Sequence, residues 1–265
     1  MCGTGFIGPP PPARRMVSGS GLHEFGVGMV ELDAIERSET LGQKVYERVR
    51  PAVIGGDFEP GEQGTIRSLA RLMQGSPTPA RAALNRLAAE GALEFGRNRT
   101  LFVPRLQPDR IRELYQIRLP LEDFAARAAL PHMGKAHVDA LTQCVEQRIV
   151  ALGQHDYRTA LELNRDFSFS IFEAAQQPIA LRILEGLWLL AGPMMNLLFP
   201  EYADHQLGIE RAREQIRAIE TRDVEALCQS LRTEREEAAE LILTKVGRGE
   251  VARSSRPAMG AASRG

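Results

Sequence analysis

Ser76, Thr78 and Arg81 stand at the start of one helical segment, where hydroxyl and guanidinium groups could contact a polyanion. The segment is GSPTPARAALNRLAAEGAL, residues 75–93, and its apolar residues repeat at helical spacing. Ser76 can cap the helix, and Pro77 suits the first position because its missing N–H costs nothing there. The spacing predicts this packed stripe: Ala80, Ala83, Leu84, Leu87 and Ala88. Thr78 and Arg81 then face outward, as in a helix that reads the DNA major groove.

Four polar side chains interrupt the apolar stripes of later helical segments: Arg118, Asn164, Ser168 and Glu234. Buried polar groups need hydrogen-bond partners or a ligand. Arg118 has two possible roles. It either binds the carboxylate or phosphate of a ligand with two hydrogen bonds or forms an i,i+4 salt bridge with Glu122. Asn164 and Ser168, one turn apart, suit a ligand, a water or one another, whereas Glu234 either joins them or lies solvated on the surface. We expect an effector-binding pocket from this set.

Enzymatic chemistry has no recognisable support in the sequence. It contains no GxSxG, no HExxH and no Gly-rich phosphate loop, so we expect no catalytic residues and no cofactor. The three cysteines, Cys2, Cys144 and Cys228, are odd in number and far apart, which indicates reduced thiols in a cytoplasmic protein. No apolar run approaches the roughly 18–20 residues of a membrane span. We therefore expect no membrane partner.

Boundaries rich in glycine and proline divide the chain into four parts. Residues 1–36 are typical of a disordered leader and residues 247–265 of a disordered tail. Within 37–107 the pattern predicts three helices and a β-hairpin, whose tip carries Arg97, Asn98 and Arg99 for phosphate or minor-groove contact. Residues 108–246 show helical spacing throughout, which predicts an antiparallel all-α bundle in which Pro120 kinks the first helix.

Charge is distributed unevenly between the two central parts. Residues 37–107 carry 11 Lys and Arg against 7 Asp and Glu, whereas residues 108–246 carry 16 against 22. A basic first part joined to an acidic second part indicates that only the first meets a polyanion.

Residues 40–107 resemble the winged helix-turn-helix of GntR-family bacterial transcription regulators. The runs that carry the resemblance are GDFEPGE, SLARLMQGSPTPARAALNRLAAEGAL and GRNRTLFV. It implies DNA contacts from Arg67 on the second helix, from three residues of the recognition helix and from three in the wing: Ser76, Thr78, Arg81, Arg97, Asn98 and Arg99. Three positions depart from the family pattern: Pro77 replaces an arginine, Thr100 replaces the wing glycine, and Gln74-Gly75 replaces Gly-Val.

Residues 108–246 resemble the FCD effector domain of the FadR-type branch of that family. The matching runs are ELYQIRLPLEDFAARAAL, LELNRDFSFSIFEAAQQP and IRAIETRDVEALCQSLRTE. The resemblance implies a homodimer with an effector cavity inside the bundle. Many members hold a divalent metal there through an aspartate and three histidines, and the corresponding positions are Asn164, Ser168, Ala212 and Glu234. These side chains offer no imidazole, so we expect no metal.

The sequence thus favours a mainly α fold, in which an N-terminal winged helix-turn-helix precedes an FCD-type bundle. The function we expect is a ligand-responsive repressor that binds a palindromic double-stranded operator as a homodimer. Its effector would be a small organic or sugar acid. One alternative is a metal-free, constitutive DNA-binding protein without effector control. A further alternative is an all-helical enzyme with an accessory DNA-binding module.

Overall fold

The computed structural model describes residues 22–24, 29–31, 41–65, 77–96, 100–204 and 207–249. The predicted second helix of the DNA-binding part and the tip of its wing therefore lie outside the described residues. Five predicted DNA contacts also lie outside the described residues: Arg67 on the second helix, Ser76 at the start of the recognition helix, and Arg97, Asn98 and Arg99 in the wing.

Two short strands lie within the predicted leader. Strand β1 (Leu22–Glu24) pairs antiparallel with β2 (Met29–Glu31), with Leu22 opposite Glu31. The composition of this stretch predicts no regular structure, but a hairpin needs only backbone hydrogen bonds across a four-residue connection. Both strands belong to a compact unit, Met1–Glu39, distinct from the unit Thr40–Gly265.

The first part of the second unit, up to Phe102, combines helices with a three-stranded sheet. Its described elements are α1 (Leu41–Ile54), β3 (Gln63–Thr65), α2 (Pro77–Ala89), β4 (Glu94–Phe95) and β5 (Thr100–Phe102). The strands lie in the order β3-β5-β4, and both pairs are antiparallel. The hairpin β4–β5 confirms the predicted wing, whereas β3 is an additional strand that hydrophobic periodicity does not reveal because it is only three residues long.

The bundle part contains the predicted long helices. They are α3 (Pro108–Ala129), α4 (Lys135–Gly153), α5 (Tyr157–Ala174), α6 (Pro178–Ala191), the four-residue α7 (Glu201–Asp204), α8 (Leu207–Thr221) and α9 (Val224–Gly247). Asp156 and Asp223 cap α5 and α9 by accepting from Thr159 N and Ala226 N at 3.1 and 3.0 Å. Helix α3 continues through Pro120 to Ala129.

The fourth predicted helix of the bundle ends earlier than its apolar spacing indicates. The spacing predicts a helix to residue 199, but α6 ends at Ala191 and a 3-10 segment, Gly192–Leu198, follows. Pro193 has no backbone N–H to continue an α-helix. Gly192 also packs so closely on α1 that a Cβ would lie 2.6 Å from the Ile54 carbonyl oxygen and closer still to that of Val53. The break therefore follows from a tertiary contact as well as from local sequence.

One described segment is long and apolar enough to cross a membrane, by length and composition alone. This segment, Pro178–Leu198, joins α6 to the 3-10 turns, and half of its residues are buried inside the protein. Buried core helices commonly meet the same two criteria, so the segment is weak evidence for a membrane span.

Candidate functional site

Helix α2 presents its first turn to solvent and packs the opposite face inward. The predicted stripe is confirmed, because Ala80, Ala83, Leu84 and Leu87 are at most 1% exposed. Thr78 and Arg81 lie on the exposed side, and Arg81 makes no ion pair with any residue that the structure describes. The described part of the helix runs from Pro77 to Ala89, and the predicted cap, Ser76, lies outside the described residues. A hydroxyl and a free guanidinium therefore project from the start of this helix.

Arg86, the other arginine of α2, is engaged within the protein. Its guanidinium stacks 3.7 Å from the centroid of the Tyr46 ring on α1 and donates to Gln43 at 2.8 Å and to Glu90 at 3.2 Å. Tyr46 donates its hydroxyl to Glu90 at 2.7 Å. Burial and this bond raise the pKa of Tyr46 to about 12. Arg86 thus fixes α2 on α1, and Arg81 remains the arginine of this helix that is available to a ligand.

A buried carboxylate, Glu122, lies at the centre of a polar cluster inside the bundle. Arg118 binds its Oε1 through two nitrogens, at 3.0 and 2.8 Å, and Trp188 Nε1 donates to the same oxygen at 2.9 Å. Arg235 Nε donates to Oε2 at 2.8 Å. Burial alone would raise the pKa of Glu122, but Arg235 and Arg118 outweigh it and hold the pKa below its ordinary value.

Arg235 connects this carboxylate to two further predicted pocket residues, Ser168 and Glu234. Its Nη2 donates to Ser168 Oγ at 3.0 Å, and its Nη1 lies 2.9 Å from Glu234 Oε2. Gln215 donates to the same Glu234 oxygen at 2.9 Å. Burial opposes the charge of Arg235, yet Glu122 and Glu234 raise its pKa above the ordinary value. The guanidinium of Arg235 on α9 therefore connects α3 and α5, and α8 joins them through the bond from Gln215 to Glu234.

The cluster has a surplus of positive charge and unused donors. The buried guanidinium groups are three, Arg118, Arg148 and Arg235, against the two buried carboxylates Glu122 and Glu234. Arg148 lies beside Tyr202, whose pKa is raised by burial and then by Glu234. Among described residues, Arg118 Nη1, Arg148 Nε, the Tyr115 hydroxyl and the acceptor Gln215 Oε1 have no hydrogen-bond partner, although the Arg118 guanidinium carbon lies 5.1 Å from the centroid of the Tyr115 ring. Buried donors without partners are costly unless water or a ligand satisfies them. An anionic ligand would meet both the charge and the donors.

The predicted pocket residues are all buried. Arg118 forms the i,i+4 salt bridge with Glu122, which leaves one nitrogen of its guanidinium for a ligand. Glu234 is 4% exposed, so the surface alternative is wrong for this residue. Asn164 is also 4% exposed, and its side chain makes no hydrogen bond within the described structure.

Sequence reasoning missed the central roles of Glu122 and Arg235. Arg235 lies on the inward face of α9 between these apolar residues at helical spacing: Leu231, Ala238 and Ile242. A charged side chain on the apolar face of a predicted helix is the sequence signal that would have identified Arg235. Glu122 entered the sequence argument only as the salt-bridge alternative for Arg118.

The residues at the family's metal positions do not fit a divalent metal. Ala212 has no donor atom, and Ser168 and Glu234 already accept from Arg235. Within the described ranges, no group of three or more His, Cys, Asp and Glu side chains is arranged to hold a metal. The chemistry of the site is therefore that of hydrogen bonds and fixed charges.

Helix α5 extends from this cluster to the winged helix. Ser168 contacts the cluster and Asn164, one turn earlier, is buried, whereas Arg165 on the same helix donates to the Pro51 carbonyl oxygen of α1 at 3.1 Å. Arg158, near the start of α5, donates to Asp57 at 2.9 Å. Helix α5 therefore touches both the buried charges and the winged helix.

The 3-10 segment after α6 adds a second contact with the winged helix. Asn196 Nδ2 donates to the carbonyl oxygens of Gly56 and Phe58 at 2.6 and 3.3 Å. Gly56 has φ of 79°, in the left-handed region that favours glycine, and a Cβ there would lie 3.0 Å from Leu161 of α5. The loop after α1 is thereby held between α5 and the 3-10 segment.

Two family descriptions match the chain, and together they cover both parts of the second unit. "Bacterial regulatory proteins, gntR family" matches residues 41–103, and "FCD domain" matches residues 113–234. The first match contains α1, α2 and the sheet. The second contains Glu122 with Arg118 and Trp188, and it ends at Glu234, one residue before Arg235.

Similar curated proteins carry regulator names. The chain is 28% identical over 144 residues to the "HTH-type transcriptional regulator McbR" of Escherichia coli, covering 54% of this chain and 65% of that protein. It is 31% identical over 114 residues to an uncharacterized HTH-type transcriptional regulator of Agrobacterium vitis, covering 42% of this chain and 67% of that protein. The chain spans 65%, 61% and 55% of the lengths of three of these relatives.

Solved structures share the fold. The structure titled "E. coli McbR/YncC" superposes with a TM-score of 0.72 at 24% identity, over 78% of this chain and 99% of that one. A GntR-type regulator from Rhodococcus sp. RHA1 superposes with a TM-score of 0.64 at 20% identity, over 77% and 97% of the two chains. At these identities the likeness concerns the fold.

Proposed function

Because the chain belongs to the GntR family of bacterial regulatory proteins and carries an FCD domain, we propose that it is a ligand-responsive transcription regulator. Its winged helix-turn-helix binds a double-stranded DNA operator, and its bundle binds a small-molecule effector. The proposal assigns it no catalytic step, in keeping with the regulator names of its relatives.

The exposed first turn of α2 carries the DNA-binding proposal. Thr78 and Arg81 project from a helix whose other face is fixed on α1, and Arg81 has no internal partner among the described residues. A guanidinium held in this way can bond a base edge or a phosphate without first breaking a salt bridge. Arg67, Ser76 and the wing residues Arg97, Asn98 and Arg99 complete the proposed contact set by family resemblance.

The test of DNA binding is fluorescence anisotropy with genomic fragments containing the operator. We expect Arg81→Ala to weaken binding by about 1–3 kcal/mol, the usual value of a base-contacting arginine. Arg112→Ala, on an exposed part of α3, is the matched control and should leave the affinity unchanged. Affinity should also fall steeply as salt rises, since phosphate contacts release counterions. Equal affinities for the two variants, or binding that ignores salt, would contradict the proposal.

The surplus positive charge of the buried cluster supports an acidic effector. The donors that lack partners, Arg118 Nη1 and Arg148 Nε, are suited to a carboxylate, as in a small organic or sugar acid. Asn164 supplies a buried amide for a hydroxyl or carbonyl of the same ligand.

The test of the effector proposal is a thermal-shift screen of organic and sugar acids, each paired with its neutral amide or alcohol. We expect at least one acid to raise Tm and to change DNA affinity, with its neutral partner inactive. If no compound shifts Tm, the constitutive DNA-binding alternative is favoured.

Exposed apolar side chains support a homodimer. Ile117 and Phe124 on α3 and Ile179 and Ile183 on α6 are between 48% and 69% exposed. The two helices are neighbours that meet through Glu122 and Trp188. A second copy of the chain would cover this face, and a two-fold dimer suits a palindromic operator. We propose repression as the outcome, because a dimer on its operator blocks transcription until the effector binds.

A further inference from the structure

The side chain of Arg235 occupies the centre of the buried cluster and has a defined acceptor for each of its three nitrogens. Nε bonds Glu122 at 2.8 Å, Nη2 bonds Ser168 at 3.0 Å, and Nη1 pairs with Glu234 at 2.9 Å. The residue is 2% exposed, and its guanidinium carbon lies 5.2 Å from the centroid of the Trp188 ring. A positive group is therefore fixed here by acceptors from three different helices.

Two of these acceptors stand at positions where the family resemblance implies metal ligands. Ser168 and Glu234 both bond the guanidinium, and Ala212, at a third such position, has no ligand atom. The chain therefore differs from the family pattern in two ways. It lacks the histidines, and the guanidinium of Arg235 binds the two acceptors, Ser168 and Glu234, that stand at metal positions.

We propose that the guanidinium of Arg235 is the resident cation of this pocket, standing in for a divalent metal, and that the pocket takes a carboxylate effector without chelation. The inference deepens the proposed effector site and rests on it. A metal offers open coordination positions, which favour ligands with two chelating oxygens. A guanidinium instead offers N–H donors in a fixed plane, which favour one carboxylate.

Unused donors allow the cluster to bind a ligand as well as to support the fold. A guanidinium has five N–H groups, and the three bonds of Arg235 leave some of them free. The neighbouring Arg118 has its Nη1 unpaired within the described structure. In the proposed site these free N–H groups are the donors offered to the carboxylate of a ligand, and Arg235 is the residue that sets its specificity.

The first experiment measures metal directly on the full wild-type chain. The purified protein is incubated with Zn²⁺ or Ni²⁺, passed through a desalting column and analysed by elemental mass spectrometry, with Glu234→Gln in parallel. We expect wild type and variant to retain the same sub-stoichiometric amount. One equivalent of metal retained by wild type and lost in Glu234→Gln would overturn the proposal.

The second experiment asks whether Arg235 itself excludes a metal. The double variant S168H/A212H restores imidazoles at two of the family positions, and the triple variant S168H/A212H/R235A also removes the guanidinium. We expect calorimetry to give at least 100-fold tighter Zn²⁺ binding for the triple variant, with a higher Tm on Zn²⁺ addition. Equal affinities would overturn the proposal, and if the triple variant does not fold, the wild-type measurement decides.

The third experiment separates this inference from the proposed function. Thermal shifts are recorded for a simple monocarboxylate series and a matched α-hydroxy series, each with and without EDTA. We expect EDTA to change neither the Tm shifts nor the ranking of the acids. We also expect any additional Tm shift of an α-hydroxy acid over its matched monocarboxylate to be the same with and without EDTA. An effector response that EDTA abolishes would overturn the resident-cation proposal while leaving effector control intact. If the wild-type protein binds no operator DNA, the proposed function is contradicted. The elemental analysis and the Zn²⁺ calorimetry would still test the role of Arg235.

Discussion

The buried carboxylate of Glu122 holds side chains of three helices together. Its two oxygens accept from Arg118, Trp188 and Arg235, which come from three helices. A buried charge of this kind stabilises the fold only while its partners remain ionised and in place. The same carboxylate therefore links the stability of the bundle to the protonation state of its interior.

Glu122→Gln should lower the free energy of unfolding by about 3–5 kcal/mol at neutral pH, because it leaves Arg118 without its countercharge and Arg235 with Glu234 alone. Urea titration at pH 7 measures this loss. Glu225→Gln, at the exposed ion pair with Arg127, is the matched control and should have little effect. Similar losses in the two variants would contradict the central role of Glu122.

The pH dependence of stability should change in the same variant. The folded protein holds the pKa of Glu122 below the ordinary value, so this carboxylate stabilises the fold above its unfolded pKa, about 4.3. That contribution is lost as pH falls through the lower, folded value. Wild type should therefore lose stability on acidification below about pH 4, and Glu122→Gln should show a flatter profile in urea titrations between pH 3 and 7.

Pro77 is the residue at which the DNA-facing turn departs from relatives. It begins α2, and family members carry a DNA-contacting arginine there. We expect Pro77→Arg to tighten operator binding by about 1 kcal/mol, roughly fivefold, since it adds one contact. Pro77→Ala controls for the loss of the ring. Weaker binding by Pro77→Arg would show that α2 enters the groove in a different register.

At the scale of the element, the spacing of apolar residues predicted the positions of helices and their buried faces, because both depend on residues close together in the sequence. The packed stripe of α2, the inward face of α5 and the extents of most bundle helices follow from 3.6-residue periodicity, which is visible in one segment of sequence. The bonds of Arg235 to Glu122 and Ser168 join residues 113 and 67 positions apart. Such pairings depend on how helices assemble, so spacing could show that polar residues are buried but not which ones meet.

Gly192 marks the contact between the winged helix and the bundle. Gly192→Ala should push the 3-10 segment away from α1 at a cost of about 1–3 kcal/mol, because the nearest atoms are backbone carbonyls. Hydrogen exchange should increase in α1 and in the loop around Gly56. Gly186→Ala on α6 is the control, since a Cβ there meets nothing within 4 Å, and it should stabilise α6 by about 0.5–1 kcal/mol. Unchanged exchange in α1 would show that this contact does not hold the two parts together.

At the scale of the whole molecule, charge and apolar surface are unevenly divided: of the eight large exposed apolar side chains among the described residues, six lie in the acidic bundle, and Leu41 and Phe95 lie in the basic part. The basic part carries the exposed start of α2, and the acidic bundle carries the exposed isoleucines of α6 and the phenylalanine of α3. This division suits a protein that meets DNA with one part and a second copy of itself with the other.

The dimer proposal predicts the effect of a charge on the apolar face. Ile183→Glu should raise the dimer dissociation constant by roughly 100-fold or more, because a carboxylate would be buried without a partner. Light scattering coupled to size exclusion measures the mass. Val150→Glu, at an exposed aliphatic residue of α4, should remain dimeric. If Ile183→Glu remains as dimeric as Val150→Glu, the interface lies elsewhere.

Trp188 is the single tryptophan of the sequence, and its position gives the protein a built-in optical reporter. The indole is 1% exposed, donates to Glu122 and lies beside the guanidinium groups of Arg118 and Arg235. Any compound that draws these charges toward itself changes the field on the indole, and hence the wavelength and yield of its emission. Unmodified protein can therefore be titrated in a fluorimeter, and the signal arises from the interior of the pocket alone.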